Sequence, residues 1–410
     1  MHLAINYQRV DPARGGAETY VADLCRRLVD RGHRVDLYCS SWAEGALANG
    51  VRVVPVAATG PSRWARMLSF ARNSEAALRE ATFDCSIGFI NTWHHDVIIP
   101  QGGVHPASLE HNARRFPAGW RRTLYSASKR ANPKDWLYRS IERRQYDPAR
   151  ASRVVAVSEF VQGHLQKFYG VSEDRIRVIP NAIDANRLRS DDPDAARRSF
   201  RTRLGLGNDA LVALFLAHNF RLKGLDPLLE ALRVRLDRDR NARPIHLVVC
   251  GGGKIEPYRR KVQSLDLDEH VHLLGFQEEI RPAFAGSDCF VLPSFYDPCS
   301  LVVFEALACG LPVVTTATNG AGEVITQGRE GFVVPEASDV DALADALDRL
   351  CDDLDRRVMA AAARRLGNAQ SFDVHLDRLI ALFEEVADDR AARLRVTPSR
   401  RDAQGWRAAG

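Results

Sequence analysis

Between His2 and Cys39 the chain reads as an apolar strand, a glycine turn, an amphipathic helix and a second apolar strand, and the same order starts afresh at Leu211. His2 to Tyr7 is the first strand. Ala17, Val21, Leu24, Cys25 and Leu28 then recur at helical spacing, Arg31 and Gly32 close that helix, and Val35 to Cys39 is the second strand. A helix bridging two such strands implies a parallel sheet, because the crossover returns the chain to the same end. Further strands are expected at 51–56, 85–90, 97–99, 154–157 and 176–178, with helices over 66–78 and 158–168. VIPNAIDANRL, ending at Leu188, reads as an exit from the first series.

The second series places strands at 211–217, 245–249, 271–274, 290–292 and 312–315, with helices over 227–236 and 302–308. The expectation is two α/β Rossmann-like units, 1–185 and 186–375, followed by a helix at 376–395 packing back on the first and a flexible tail at 396–410. A chain of 410 residues with 45% hydrophobic and 27% charged residues has material for two cores and no signature of disorder. Eight scattered cysteines without a CxxC suit a reducing compartment. With neither a signal peptide nor an eighteen-residue apolar run, the chain is expected to be cytoplasmic.

The net charge of +5 is unevenly placed. Residues 112–153 carry twelve basic and three acidic side chains, a local +9, interleaved with Trp120, Tyr125, Trp136 and Tyr138. Such a stretch suits an anionic membrane surface or an anionic acceptor, or is a solvated insert; nucleic acid is not expected as a partner.

Chemistry is expected at strand-to-helix turns. Gly15 and Gly16 precede a helix opened by Glu18, where unpaired first-turn amides favour an anion, although a purely structural turn fits as well. Arg221 and Lys223 follow the Leu211 strand and suit a diphosphate. In FYDPCSLVVFEALACGLPVV, Asp297 lies in a loop, Ser300, Leu301 and Val302 open a helix whose amides face the crevice, and Glu305 follows about a turn later. A carboxylate in so apolar a run needs a partner, and a ribose diol supplies two donors.

These segments resemble the nucleotide-sugar-dependent retaining glycosyltransferases of family 4, which have the two-domain GT-B fold. The resemblance rests on Asp297, Glu305, Ala306, Gly310 and Pro312, together with GGAE, RLKG, VVAVSE and VIPNAID in the same order, and covers roughly residues 1–385. Many members carry Glu where this chain has Asp297. What the resemblance implies is that Glu305 holds the ribose, Arg221 and Lys223 the diphosphate and Asp297 the donor sugar. Gly16 approaches the phosphate, and Gly275 and Phe276 lie near the base. Gly251 to Gly253 line the nucleotide cleft or form a structural turn. His105 in QGGVHPAS takes the place of a histidine beside the reacting sugar, with His94, His95 and Asp96 as rivals.

Within the family, the opening and the basic aromatic insert look like the glucosyltransferases that extend the lipopolysaccharide inner core. That implies UDP-glucose as the donor, a glycan or glycolipid acceptor, no cofactor, and a place on the cytoplasmic face of the inner membrane. No DxD-like pair follows a strand, so no metal is expected. The alternatives are another polysaccharide, glycolipid or small-molecule acceptor, a nucleotide-sugar epimerase, or a binding protein without catalysis.

Overall fold

The run LVALFL at Leu211–Leu216 has no polar face, so it is stable as a strand only when both sides of its sheet are covered. The computed structural model, which describes residues 1–147, 149, 152–188, 190–239 and 243–396, buries it in the second of two parallel sheets, each flanked by helices. The first sheet has seven strands in the spatial order Val51–Pro55, Arg34–Cys39, His2–Asn6, Cys85–Gly88, Val97–Ile98, Arg153–Ala156 and Ile176–Val178. The second has six, ordered Val271–Gly275, Ile245–Cys250, Leu211–Leu216, Cys289–Leu292, Val313–Thr316 and Gly331–Val334.

All of these neighbours pair in parallel. In each sheet the first strand in sequence lies third, and the chain runs outward from it first one way and then the other. The reversal opens a crevice at the carboxyl ends of the two central strands, where open α/β sheets bind ligands. In the second sheet that crevice lies between Leu211–Leu216 and Cys289–Leu292.

The last helix is longer than the sequence suggests. It runs from Phe372 to Val396 and buries Leu376, Leu379, Leu382, Phe383 and Val386 on one face. That face meets the first unit: the Tyr20 hydroxyl lies 2.7 Å from His375 Nε2, Arg31 pairs with Asp377 at 2.8 Å, and Arg390 with Asp96 at 3.0 Å. The tail expected to be flexible lies, apart from Val396, outside the described residues. All eight cysteines are free. No helix among the described residues is long and apolar enough to cross a membrane.

Candidate active site

The two sheets present their crevices to each other. On the first side, Gly16 opens the helix Gly16–Asp30, and a Cβ added there would lie 3.0 Å from the Leu301 side chain of the second. Even an alanine there would require the Leu301 side chain to give way. On the second side, Lys223 ends a turn that Gly224 closes with φ +80°, and a Cβ there would strike the Pro293 carbonyl at 1.9 Å. Glycine alone lets Lys223 approach the Pro293–Ser300 loop this closely.

Lys223 Nζ makes a short ion pair with Asp297, whose residue is only 7% exposed. The backbone of Asp297 is pinned at both ends, its amide donating to the Thr318 carbonyl at 2.9 Å and its carbonyl accepting from Gly320 at 3.0 Å. The Ser300 side chain makes no capping bond to the helix Leu301–Ala308, so its first-turn amides stay available to an anion. Glu305 is half-buried one turn further on. Burial pushes its carboxyl up to about 7, opposed by the charge of Arg187.

Gly16, Lys223, Phe276, Asp297, Leu301 and Glu305 line a single cavity of about 530 Å³ between the units. Gly15, Ser300 and Val302 line it too, and Phe276 stands 67% exposed, free to stack on a planar ring. Gly275 ends its strand with φ +72° and positions Phe276 without lining the cavity itself.

Two of the expected residues lie away from this cavity. Arg221 does not join Lys223: the turn sends it over the Phe116 ring, at 5.6 Å, into a neighbouring cavity. His105 does not reach the Glu305 cavity. Its Nε2 lies 3.1 Å from Asp135, its ring packs 4.8 Å from Tyr138, and its amide donates to both Glu142 oxygens, because the residue opens the helix His105–Ala113. Burial lowers the pKa of its imidazole. Its rival Asp96 is also engaged, accepting from Ser86 and pairing with Arg390. Among the described residues, no three His, Cys, Asp or Glu side chains gather as a metal cluster.

Gln101, Asn181, His218, Asn219 and Gln277 line the cavity without having been singled out. Gln101 and Asn181 lie in QGGVH and VIPNAID, and what marks them is a polar residue just past the end of a strand. The Gly251–Gly253 turn is divided, Gly251 facing this cavity and the other two its neighbour.

The loop carrying Asp297 is clamped by the first unit. Ser158 Oγ donates to the Pro298 carbonyl at 2.7 Å, Asn181 to the Cys299 carbonyl at 2.9 Å, and the Val104 amide to the Tyr296 hydroxyl at 3.0 Å. Ser158 Oγ also accepts from Val161 to cap the helix Glu159–Tyr169. VVAVSE thus places a helix cap and an inter-unit contact on one hydroxyl.

Comparison with known proteins bears on this arrangement directly. Residues 14–187 match the model for Glycosyltransferase Family 4, and residues 196–366 that for Glycosyl transferases group 1. A Burkholderia thailandensis protein described as "Probable transglycosylase" is 32% identical, covering 92% of this chain and 95% of its own. The chain belongs to glycosyltransferase family 4. This family 4 member is also 29% identical to a GDP-mannose-dependent phosphatidylinositol monomannoside mannosyltransferase of Mycobacterium tuberculosis, over 88% of this chain and 91% of that one. The lipopolysaccharide glucosyltransferase WaaG of Escherichia coli is 22% identical over 91% and 94%. The crystal structure of WaaG, a glycosyltransferase involved in lipopolysaccharide biosynthesis, superposes with a TM-score of 0.74 over 94% of this chain and 98% of its own, and the fold is GT-B.

Proposed function

We propose that this family 4 glycosyltransferase transfers a hexose, glucose from UDP-glucose, with retention, to a lipopolysaccharide core or a related cell-surface glycan. The observation that carries the reading is one cavity holding a cation, two unlike carboxylates, open helix amides and an exposed aromatic ring. Lys223 and the first-turn amides at Leu301 and Val302 take the diphosphate, Glu305 the ribose hydroxyls, Phe276 the base, and Asp297 the sugar. As the glycosidic bond breaks, charge grows on the diphosphate, and Lys223 exchanges Asp297 for it. The acceptor hydroxyl attacks from the face the diphosphate leaves, and a departing phosphate oxygen takes its proton. The units supply position more than acid or base.

The choice of glucose and of a core glycan rests on the resemblance to core glucosyltransferases, while the mycobacterial relative named for GDP-mannose makes the donor a question for experiment. Mass spectrometric screening of nucleotide sugars against extracted core oligosaccharides reads donor and acceptor together. A hexose added to the oligosaccharide from UDP-glucose is the expected outcome. Conversion of the donor without acceptor would indicate an epimerase, and binding without turnover a non-catalytic protein. Transfer only from another nucleotide sugar would overturn the donor.

A further inference from the structure

Across the turn His218–Lys223 from the Glu305 cavity lies a second and larger one of about 1220 Å³. Arg114, Arg115 and Arg122 of the first unit form one wall, and Arg221 and Lys254 of the second belong to the other. Its charge is one-sided. Asp226 and Glu230, the acids of the wall, both bind Lys261, at 3.0 and 2.8 Å, and Arg114 pairs with Glu336 at 2.6 Å. Arg115, Arg122, Arg221 and Lys254 are left with no ion-pair partner among the described residues.

Two of these cations share one ring. The Arg115 guanidinium lies 5.0 Å from the centre of Phe116 and the Arg221 guanidinium 5.6 Å from it, so residues of the two units bring like charges together. Arg115 also stacks on Tyr125 at 4.9 Å, and its Nε is buried without a hydrogen-bond partner. Burial and the nearby charge of Arg221 both lower its pKa. Arg122 donates to the Phe116 and Arg114 carbonyls, at 2.9 and 3.4 Å, which fixes the loop without neutralising any charge. Guanidiniums held by aromatic rings, with their donors free, match the planar forked recognition of a phosphate. Left empty, the same arrangement is repulsive.

The two cavities are adjoining. His218 and Asn219 line both, and Phe295 and Asp297, two residues apart on one loop, face the basic cavity and the donor cavity respectively. We propose that the basic cavity binds the phosphate of a phosphorylated saccharide acceptor and thereby holds its reacting hydroxyl toward Asp297. The assignment rests on the reading of the Glu305 cavity as the donor site, and it names the acceptor class: a sugar carrying phosphomonoester groups. Donor and acceptor then bind on opposite sides of the same turn.

The test is calorimetric titration of the full chain, saturated with UDP, with glucose 6-phosphate and with glucose. Glucose 6-phosphate is expected to bind, more weakly as salt rises, and glucose not to bind. The double variant Arg115→Gln, Lys254→Gln should weaken glucose 6-phosphate at least tenfold while leaving UDP affinity within twofold. Equal binding of the two sugars, or undiminished binding by the double variant, would overturn the proposal. Competition by UDP would place the phosphate in the donor cavity instead, and displacement by anionic phospholipid vesicles would assign the cavity to a lipid headgroup; either result also overturns it. A wild-type protein that fails to bind UDP strikes the donor reading alone, since glucose 6-phosphate titrated without UDP still reports on the basic cavity.

Discussion

The Glu305 carboxylate accepts no hydrogen bond among the described residues, although its backbone carbonyl is engaged by the Cys309 amide, and burial pushes the carboxyl up to about 7. Only the ionised form accepts from both hydroxyls of a diol, so UDP affinity should rise from pH 6 to 8 more steeply in the wild type than in Glu305→Gln. Calorimetry across that range reads the difference, and parallel profiles would remove Glu305 from the ribose. The linkage has a definite sign. With its folded pKa above the ordinary value of 4.5, the native state holds this proton more tightly than the unfolded chain. The stability it contributes is lost as pH climbs from about 4.5 to 7. Lys223 differs from Glu305 in being already paired, with Asp297. On the proposed reading its contact with a diphosphate strengthens as charge develops, so Lys223→Ala should lower kcat by about 100-fold or more and the affinity for UDP-glucose far less. Unchanged turnover at saturating donor would contradict that role. With Lys223 and the helix amides as counter-charges, activity is expected to persist in excess EDTA.

Among the elements, the helix Trp120–Ala131 buries none of its residues, and Trp120 and Leu124 are 72% and 60% exposed on it. Trp136 on the following helix Pro133–Gln145 is 66% exposed. If these apolar side chains enter a headgroup layer with Arg121 and Arg130 beside them, sedimentation with anionic vesicles should fall as salt rises. It should fall further on replacing Arg121 and Arg130. Binding to neutral vesicles that is equally strong in high salt would contradict the electrostatic part. The helix Phe372–Val396 shows the opposite pattern, a fully buried stripe. Leu379→Ala there should cost about 2–5 kcal/mol, read as a lowered Tm, and a Tm unchanged within a degree would mean that the stripe is not what holds the helix to the first unit.

Most strands of the two sheets were legible as apolar runs, because parallel strands covered on two faces favour apolar residues, even though Asn6, Asp36, Ser86 and Thr315 are buried among them. The strand Gly331–Val334 was not, being four residues that open on a glycine and stop at Pro335. The carboxylate pair and helix start of the site were legible because loop, turn and helix are contiguous in sequence. The separation of Arg221 from Lys223 was not, since it depends on the direction each side chain leaves a tight turn. Gln101 and Asn181 reach the cavity only through strand order, a long-range property. His105 lies away from the cavity for a long-range reason: its ring and amide are taken up by the helix Pro133–Gln145, through Asp135 and Glu142, thirty or more residues away in sequence.

At the scale of the whole molecule, the site exists only where the two units meet. Gly16 lies against Leu301, Ser158 holds the Pro298 carbonyl and Asn181 the Cys299 carbonyl, so the loop bearing Asp297 takes its shape from the opposite unit. On the proposed reading this junction divides a nucleotide sugar between two carboxylates, Glu305 reading the nucleoside and Asp297 the sugar. Titration of Glu305→Ala and Asp297→Ala with UDP and with UDP-glucose tests it most directly. Glu305→Ala should weaken both ligands alike, by about tenfold or more, whereas Asp297→Ala should weaken UDP-glucose and leave UDP nearly unaffected. An equal loss for both ligands in both variants, with Tm preserved, would contradict the division.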